Sequence, residues 1–156
     1  MGSRRHQDWA EAANRALRDA GHRAGGARGA VIELLSGQSC CLSAQDISDR
    51  LSEGEGRNVG LASVYRALDL LHGMGLVQRV DLGDGNLRYE PVQPDGEHHH
   101  HAVCDRCGRV TAFEDDRLES ALERLAGRLR HSISAHEVVI HGRCRSCSAG
   151  GRPKHA

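Results

Sequence analysis

The sequence predicts an α+β chain, with an N-terminal winged helix-turn-helix domain followed by a small C-terminal α/β domain. Helical periodicity dominates residues 8 to 73 and then gives way to a period of two over "LVQRVDLGDGNLRYEP" (76–91). A proline-bearing stretch, "PVQPDGE" (91–97), interrupts both patterns. Beyond it, two Cys-x-x-Cys pairs flank a short amphipathic helix. The expected boundaries are 1–90 for the winged-helix domain, 91–97 for a hinge, 98–148 for the metal-binding domain and 149–156 for a disordered tail.

The elements follow in order. "QDWAEAANRALRDAG" places Trp9, Ala13, Ala16, Leu17 and Ala20 at helical spacing, with Gly21 as the stop. In "ARGAVIELLSG", Val31, Ile32, Leu34 and Leu35 describe a short, largely buried helix. "SAQDISDRLSEGEG" opens with Ser43 as N-cap and Asp46 three residues later, a box-like cap, with Ile47 and Leu51 facing inward. After a Gly-rich turn, "LASVYRALDLLHGMG" turns Val64, Leu68 and Leu71 inward and Ser63, Arg66 and Asp69 outward. Two short helices joined by such a turn form a helix-turn-helix. In the period-two segment Leu76, Gln78 and Val80 alternate with Val77 and Arg79, and "GDGN" supplies the turn of a hairpin, the wing. In the C-terminal part, "RVTAFE" and "AHEVVIHG" read as strands. Between them "DDRLESALERLAGRLRH" reads as a helix, acidic at its start and basic at its end, with Leu118, Leu122, Leu125 and Leu129 on one face.

Composition limits what such a chain can do alone. Of 156 residues, 38% are hydrophobic and 3% aromatic, so neither half can build a large core unaided. Metal, disulfides or oligomerisation are the usual supplements. No run of about 18 apolar residues suggests a membrane span, and "MGSRRHQDWAEAANRAL" lacks the apolar core of a signal peptide. The expectation is a cytoplasmic protein with reduced thiols, where spaced cysteines favour metal over disulfides. The formal charge is zero, with 21 basic and 21 acidic residues. Residues 1 to 32 nevertheless hold six arginines against Asp8, Glu11 and Asp19. A local basic surface of that kind is compatible with a nucleic-acid partner.

Cys104 and Cys107 form one Cys-x-x-Cys, and Cys144 and Cys147 the other. Each pair can grip one edge of a tetrahedral ion, and four thiolates with no open position make a structural zinc site. Two disulfides or idle buried thiols are the alternative. In "GEHHHHAVCDRCGR" four consecutive histidines precede the first pair. On an extended chain they alternate, so His98 and His100 face one way while His99 and His101 face the other. One run thereby becomes two half-sites for metal. A polar strand whose imidazoles bind only water is the simpler reading.

"GLASVYRALDLL", "GDGNLRYE", "HHHHAVCDRCGRV" and "HGRCRSC", in this order and spacing, resemble the ferric uptake regulator (Fur) family of metal-dependent repressors. The resemblance runs from about Arg23 to Cys147. It implies a homodimer that binds a double-stranded DNA operator, with the C-terminal domain serving dimerisation. It assigns structural Zn2+ to Cys104, Cys107, Cys144 and Cys147. It assigns a regulatory divalent metal to Cys41, Glu90, His99 and His101, and an additional metal to His98, His100, Glu119 and His136. On the DNA side it points to Ser63, Tyr65 and Arg66 in the major groove and Arg23 near the minor groove. Tyr65 half in the core and Arg66 as a phosphate contact are the alternative.

Many family members carry histidine where this chain has Cys41. A thiolate is softer and tilts selection toward Zn2+, with Fe2+ the second possibility. Cys41 as a buried small hydrophobe, replaced by Cys40 or a water, is the alternative. Zinc-responsive members often carry a further cysteine shortly before the histidine run, and "YEPVQPDGE" has none. The function implied is repression of metal-uptake genes, most readily zinc-responsive. The rivals are an iron-responsive or peroxide-sensing repressor of the same family and a zinc hydrolase. A hydrolase would need an open coordination position and a general base.

Overall fold

The computed structural model describes residues 2–23, 25–38, 40–53, 59–92 and 99–148. It divides into two units, residues 1–97 and 98–156, each organised around its own three-stranded sheet. The first unit runs α1 (Gly2–Asp19), α2 (Gly26–Ser36), β1 (Leu42–Ser43), α3 (Ala44–Glu53), α4 (Leu61–Gly73), β2 (Val77–Asp81) and β3 (Leu87–Pro91). Its antiparallel sheet has the order β1-β3-β2.

Helix α1 ends where Gly21 takes a positive φ of 76°, a conformation that carries no Cβ penalty only in glycine. There the His22 N–H donates back to the Leu17 carbonyl at 2.8 Å. Trp9, Ala13 and Leu17 of α1 are buried with Val31, Ile32 and Leu35 of α2, Ile47 of α3 and Val64, Leu68 and Leu71 of α4. Each large side chain of this cluster contributes roughly 1.5–3 kcal/mol by leaving water. The Trp9 indole N–H donates to the Leu76 carbonyl at 3.0 Å, which ties α1 to the entry of the wing.

Two details differ from the sequence expectation. Ser43 does cap α3: its hydroxyl accepts from the Asp46 N–H at 3.1 Å, and Asp46 accepts from the Ser43 N–H at 3.1 Å. Ser43 also belongs to β1, a two-residue strand too short to show a period. In β2, Val77 and Val80 are buried and Gln78 and Arg79 exposed, so simple alternation fails. Val80 and Leu82, opposite in phase to Val77, are buried as well, and both faces of the strand's ends are therefore covered.

The second unit runs β4 (His100–Cys104), β5 (Val110–Phe113), α5 (Asp116–Leu129), β6 (Val139–Gly142) and the short α6 (Arg145–Ser148). Strand β4 is central, antiparallel to β5 and parallel to β6. Helix α5 is the crossover that a parallel pair requires. Asp115 caps it by accepting from the Arg117 and Leu118 N–H groups, each at 2.9 Å. The strand expected over "AHEVVIHG" starts only at Val139, so His136 precedes it rather than lying on it. Pairing begins where the His101 N–H donates to the Val138 carbonyl at 3.1 Å, and His136 falls short of that ladder. Of the hinge expected over 91–97, Pro91 instead ends β3 opposite Val77 and the Val92 N–H donates to the Leu76 carbonyl at 3.0 Å, while residues 93–97, His98 and the expected tail (149–156) lie outside the described residues. No helix among the described residues is long and apolar enough to cross a membrane.

Candidate metal centres

The sheet of the second unit brings the four cysteines together. Cys104 is the last residue of β4, Cys107 lies in the turn toward β5, and Cys144 and Cys147 follow β6. Their sulfurs all lie within 4.8 Å of one another. The Cys107 and Cys144 sulfurs are 3.8 Å apart. A tetrahedral ion with zinc–sulfur bonds of about 2.3 Å needs an edge of about 3.8 Å. None of the four is in a disulfide. Backbone N–H groups hold the Cys104 thiol down to about 6, first that of Cys144, which approaches its sulfur at 3.3 Å, and then that of Cys107. Burial and then the neighbouring sulfurs push Cys147 up to about 12. Four crowded sulfurs cannot all ionise without a compensating cation, so the donor set fits a closed divalent site. Bound there, zinc would cross-link the ends of β4 and β6.

Strand β4 also divides the histidines by face. His99 and His101 meet edge to face, ring centroids 4.9 Å apart. His100 reaches the other side, where Glu119 of α5 accepts from Nε2 of His100 at 2.7 Å and from Nε2 of His136 at 2.9 Å. The ligand atoms of His100, Glu119 and His136 lie within 4.8 Å of one another, and Phe113 packs on the His100 ring at 5.5 Å. Two imidazoles and a carboxylate suit a borderline divalent ion. The expected fourth member, His98, is outside the described residues.

In the first unit, Cys41 immediately precedes β1 and Glu90 lies on β3, both buried at 5% and 3% exposure. Glu90 accepts from Gln78 Nε2 at 2.7 Å, the hydrogen bond that a buried carboxylate needs. The Cys40 thiol beside it, burial, and the charge of Glu90 hold the Cys41 thiol well above the usual thiol range. Cys40 is half-buried, and its sulfur stands 3.8 Å from that of Cys41.

Helix α4 turns Val64, Ala67, Leu68 and Leu71 into the core and leaves Tyr65 46% exposed, so Tyr65 is not a core residue. Arg66 is exposed, and its Nη2 donates to Ser63 Oγ at 2.9 Å. Arg23 is exposed in the loop after α1.

Sequence reasoning missed three supporting residues. Gln78 faces Glu90 directly across the β2–β3 ladder, which the hairpin register would have disclosed. Phe113 faces His100 in the β4–β5 register. Arg106 donates from Nη1 to the Cys147 carbonyl at 3.0 Å, a contact from the turn after β4 to α6 for which the sequence carries no periodic signal.

A winged helix with an exposed polar helix, joined to a unit holding a four-thiol cluster and a histidine–glutamate group, defines the class of metal-binding winged-helix proteins. The Ferric uptake regulator family model matches residues 19–141. The ferric uptake regulation protein of Legionella pneumophila is 37% identical over 132 residues, 84% of this chain and 95% of that protein. Among solved structures, the Vibrio cholerae ferric uptake regulator aligns with a TM-score of 0.73 at 32% identity, covering 84% of this chain and 98% of that one. A zinc uptake regulator in complex with zinc and DNA aligns with a TM-score of 0.55 at 28% identity, over 93% and 96% of the two chains. The chain belongs to the Ferric uptake regulator family. It is a metal-responsive transcriptional regulator rather than an enzyme, which removes the hydrolase reading.

Proposed function

We propose that this protein is a cytoplasmic, zinc-responsive repressor of metal-uptake genes, acting as a homodimer on a double-stranded DNA operator. The observation that carries this reading is the split of the histidine run. His99 and His101 pair on one side of β4 while His100 engages Glu119 and His136 on the other. In this reading Cys41, Glu90, His99 and His101 hold the regulatory ion, His98, His100, Glu119 and His136 an additional one, and the four-cysteine cluster structural zinc. The sulfur of Cys41 favours zinc over harder divalent ions. The likeness to a zinc uptake regulator bound to zinc and DNA supports the same choice, whereas the curated relatives carry the name of iron uptake.

Two recognition helices of a dimer engage half-sites about one helical turn apart only when their separation is fixed. An ion held by residues of both the wing-bearing unit and the strand β4 unit would bind that arrangement better and so shift its population. Operator binding measured across zinc, iron, nickel and manganese, alongside metal analysis of protein purified without added metal, tests this. Zinc should support binding at the lowest free concentration. Binding driven by iron but not zinc would make this an iron-responsive repressor.

A further inference from the structure

The adjacent thiols of Cys40 and Cys41 form a unit in their own right. Their sulfurs are 3.8 Å apart, the same separation as between Cys107 and Cys144 in the four-cysteine cluster. That distance is the edge of a tetrahedron around an ion with sulfur bonds of about 2.3 Å. The pair is also held in place. Immediately after it, Leu42 pairs with Tyr89 and Ser43 with Arg88, and the Ser43–Asp46 cap starts α3.

Oxidation is the competing fate of two neighbouring thiols, and geometry opposes it. Consecutive Cα atoms are about 3.8 Å apart across a trans peptide. Disulfides need Cα separations of about 4.4–6.8 Å and sulfurs about 2.05 Å apart. The peptide link before Cys41 is not cis. A disulfide here would be strained, whereas chelation needs no change in the sulfur separation.

We propose that Cys40 and Cys41 together form a bidentate thiolate clamp for a thiophilic d10 cation, zinc or cadmium, within the first unit. The inference rests on the regulatory-site reading above and deepens it, because Cys40 becomes a second sulfur ligand beside Cys41. Two thiolates discriminate against manganese and iron more strongly than one.

Cobalt(II) tests this, because its thiolate charge-transfer absorption in the near ultraviolet grows with the number of sulfur ligands. Full-length protein is first given one equivalent of zinc to fill the four-cysteine cluster, and cobalt is then titrated. Cys40→Ser and Cys41→Ser should each lose about half of the absorption per bound cobalt, and the double variant all of it. Zinc affinity of Cys40→Ser, measured against a competing chelator, should fall by at least the roughly tenfold that loss of an outer-sphere partner costs. Affinity for manganese should stay unchanged. Cys40→Ala, which keeps a small side chain at this half-buried position, repeats the measurement without a hydroxyl. Full absorption and unchanged zinc affinity in Cys40→Ser and Cys40→Ala would overturn the clamp while leaving Cys41 as the only sulfur ligand. DNA binding indifferent to every metal, with the two-sulfur absorption intact, would instead overturn the regulatory reading and keep the clamp.

Discussion

On α4 few exposed side chains offer hydrogen bonds to a partner, and Arg66 is the one with the richest hydrogen-bonding capacity. One of its N–H donors is engaged by Ser63 at 2.9 Å, which restrains a guanidinium that is otherwise exposed on the helix. Arginine addresses guanine in a bidentate manner that lysine cannot reproduce. Arg66→Ala should abolish operator binding in a gel-shift titration and leave metal uptake intact. Arg66→Lys should lose roughly 1–3 kcal/mol of discrimination at one base position. Unchanged binding by Arg66→Ala would remove α4 from the major groove. The wing holds a second informative residue. Asp84 accepts from Arg88 Nη2 at 2.7 Å and Nη1 at 2.9 Å, and from the Asn86 N–H at 3.0 Å. The Arg88 guanidinium beside Asp84 holds its carboxyl well below the usual carboxylate range. The folded carboxyl therefore protonates later than the unfolded one as pH falls. Its contribution is present above the ordinary carboxylate pKa and fades as pH drops through the depressed folded value. A carboxyl NMR titration should place the Asp84 midpoint lower in the native protein than in Arg88→Ala; equal midpoints would discard the pairing.

Helix α5 shows how an element's ends can be separated from its function. At its start Asp115 satisfies two backbone donors, and Asp115→Ala should cost about 1 kcal/mol. At its end Arg130 takes a left-handed conformation, φ 55°, where glycine is the usual occupant. Arg130→Gly should stabilise by about 1 kcal/mol, the penalty of that conformation for an L side chain. Thermal melts of both variants check the two signs, and a destabilised Arg130→Gly would mean that the arginine side chain contributes more than its backbone costs. The same helix was legible in the sequence, because capping aspartates, a leucine stripe and terminal basic residues all mark it. So were α1, α3 and α4, each with buried residues at helical spacing. Strand β1 was not, since two residues carry no period. Its pairing depends instead on Leu42 meeting Tyr89 from a distant part of the chain. The start of β6 was misplaced for a related reason. "AHEV" runs into the β-branched "VI" with no Gly or Pro between to mark a boundary, and only the ladder to β4 decides that His136 stays outside. The four-cysteine cluster was the most legible part of the sites, because short spacings fix local geometry. Gln78 and Phe113 were hidden because cross-strand register sets their roles.

At the scale of the whole molecule the two units are unequal in how much apolar surface they hide. The first has a helical core with Trp9, Leu17, Ile32, Leu35, Ile47, Leu68 and Leu71 nearly inaccessible. Among the described residues of the second, the buried apolar side chains are Val103, Ala126 and the cysteines 104 and 147. A unit of that kind draws stability from outside a hydrophobic core. On the structural-zinc reading, removing the bound metal with a strong chelator should therefore melt β4 and β6 first, read by amide exchange, while fluorescence of the single tryptophan, Trp9, stays native. Protected β4 amides after chelation would show that the cluster is dispensable for folding.

On the homodimer reading a partner subunit is the other source of stability, and the exposed apolar surface indicates where it would pack. Along α5 the stripe of Leu118, Leu122, Leu125 and Leu129 runs from half-buried to open. Leu125 is 40% and Leu129 63% exposed, and beyond the helix Ile133 is 42% and Ile140 51% exposed. Apolar side chains left in water on one element are the usual mark of an interface. In a two-fold dimer each substitution counts twice. Loss of one leucine's burial then removes roughly 3–6 kcal/mol, which is roughly two to four powers of ten in dimer Kd. Leu129→Asp sits at an exposed position of the isolated chain and should leave the fold intact. Sedimentation should find the unaltered protein dimeric and Leu129→Asp monomeric at micromolar concentration, with operator binding lost and zinc at the four-cysteine cluster retained. A Leu129→Asp protein that stays dimeric would place the subunit contact on another face, and operator binding by a stable monomer would show that one recognition helix suffices.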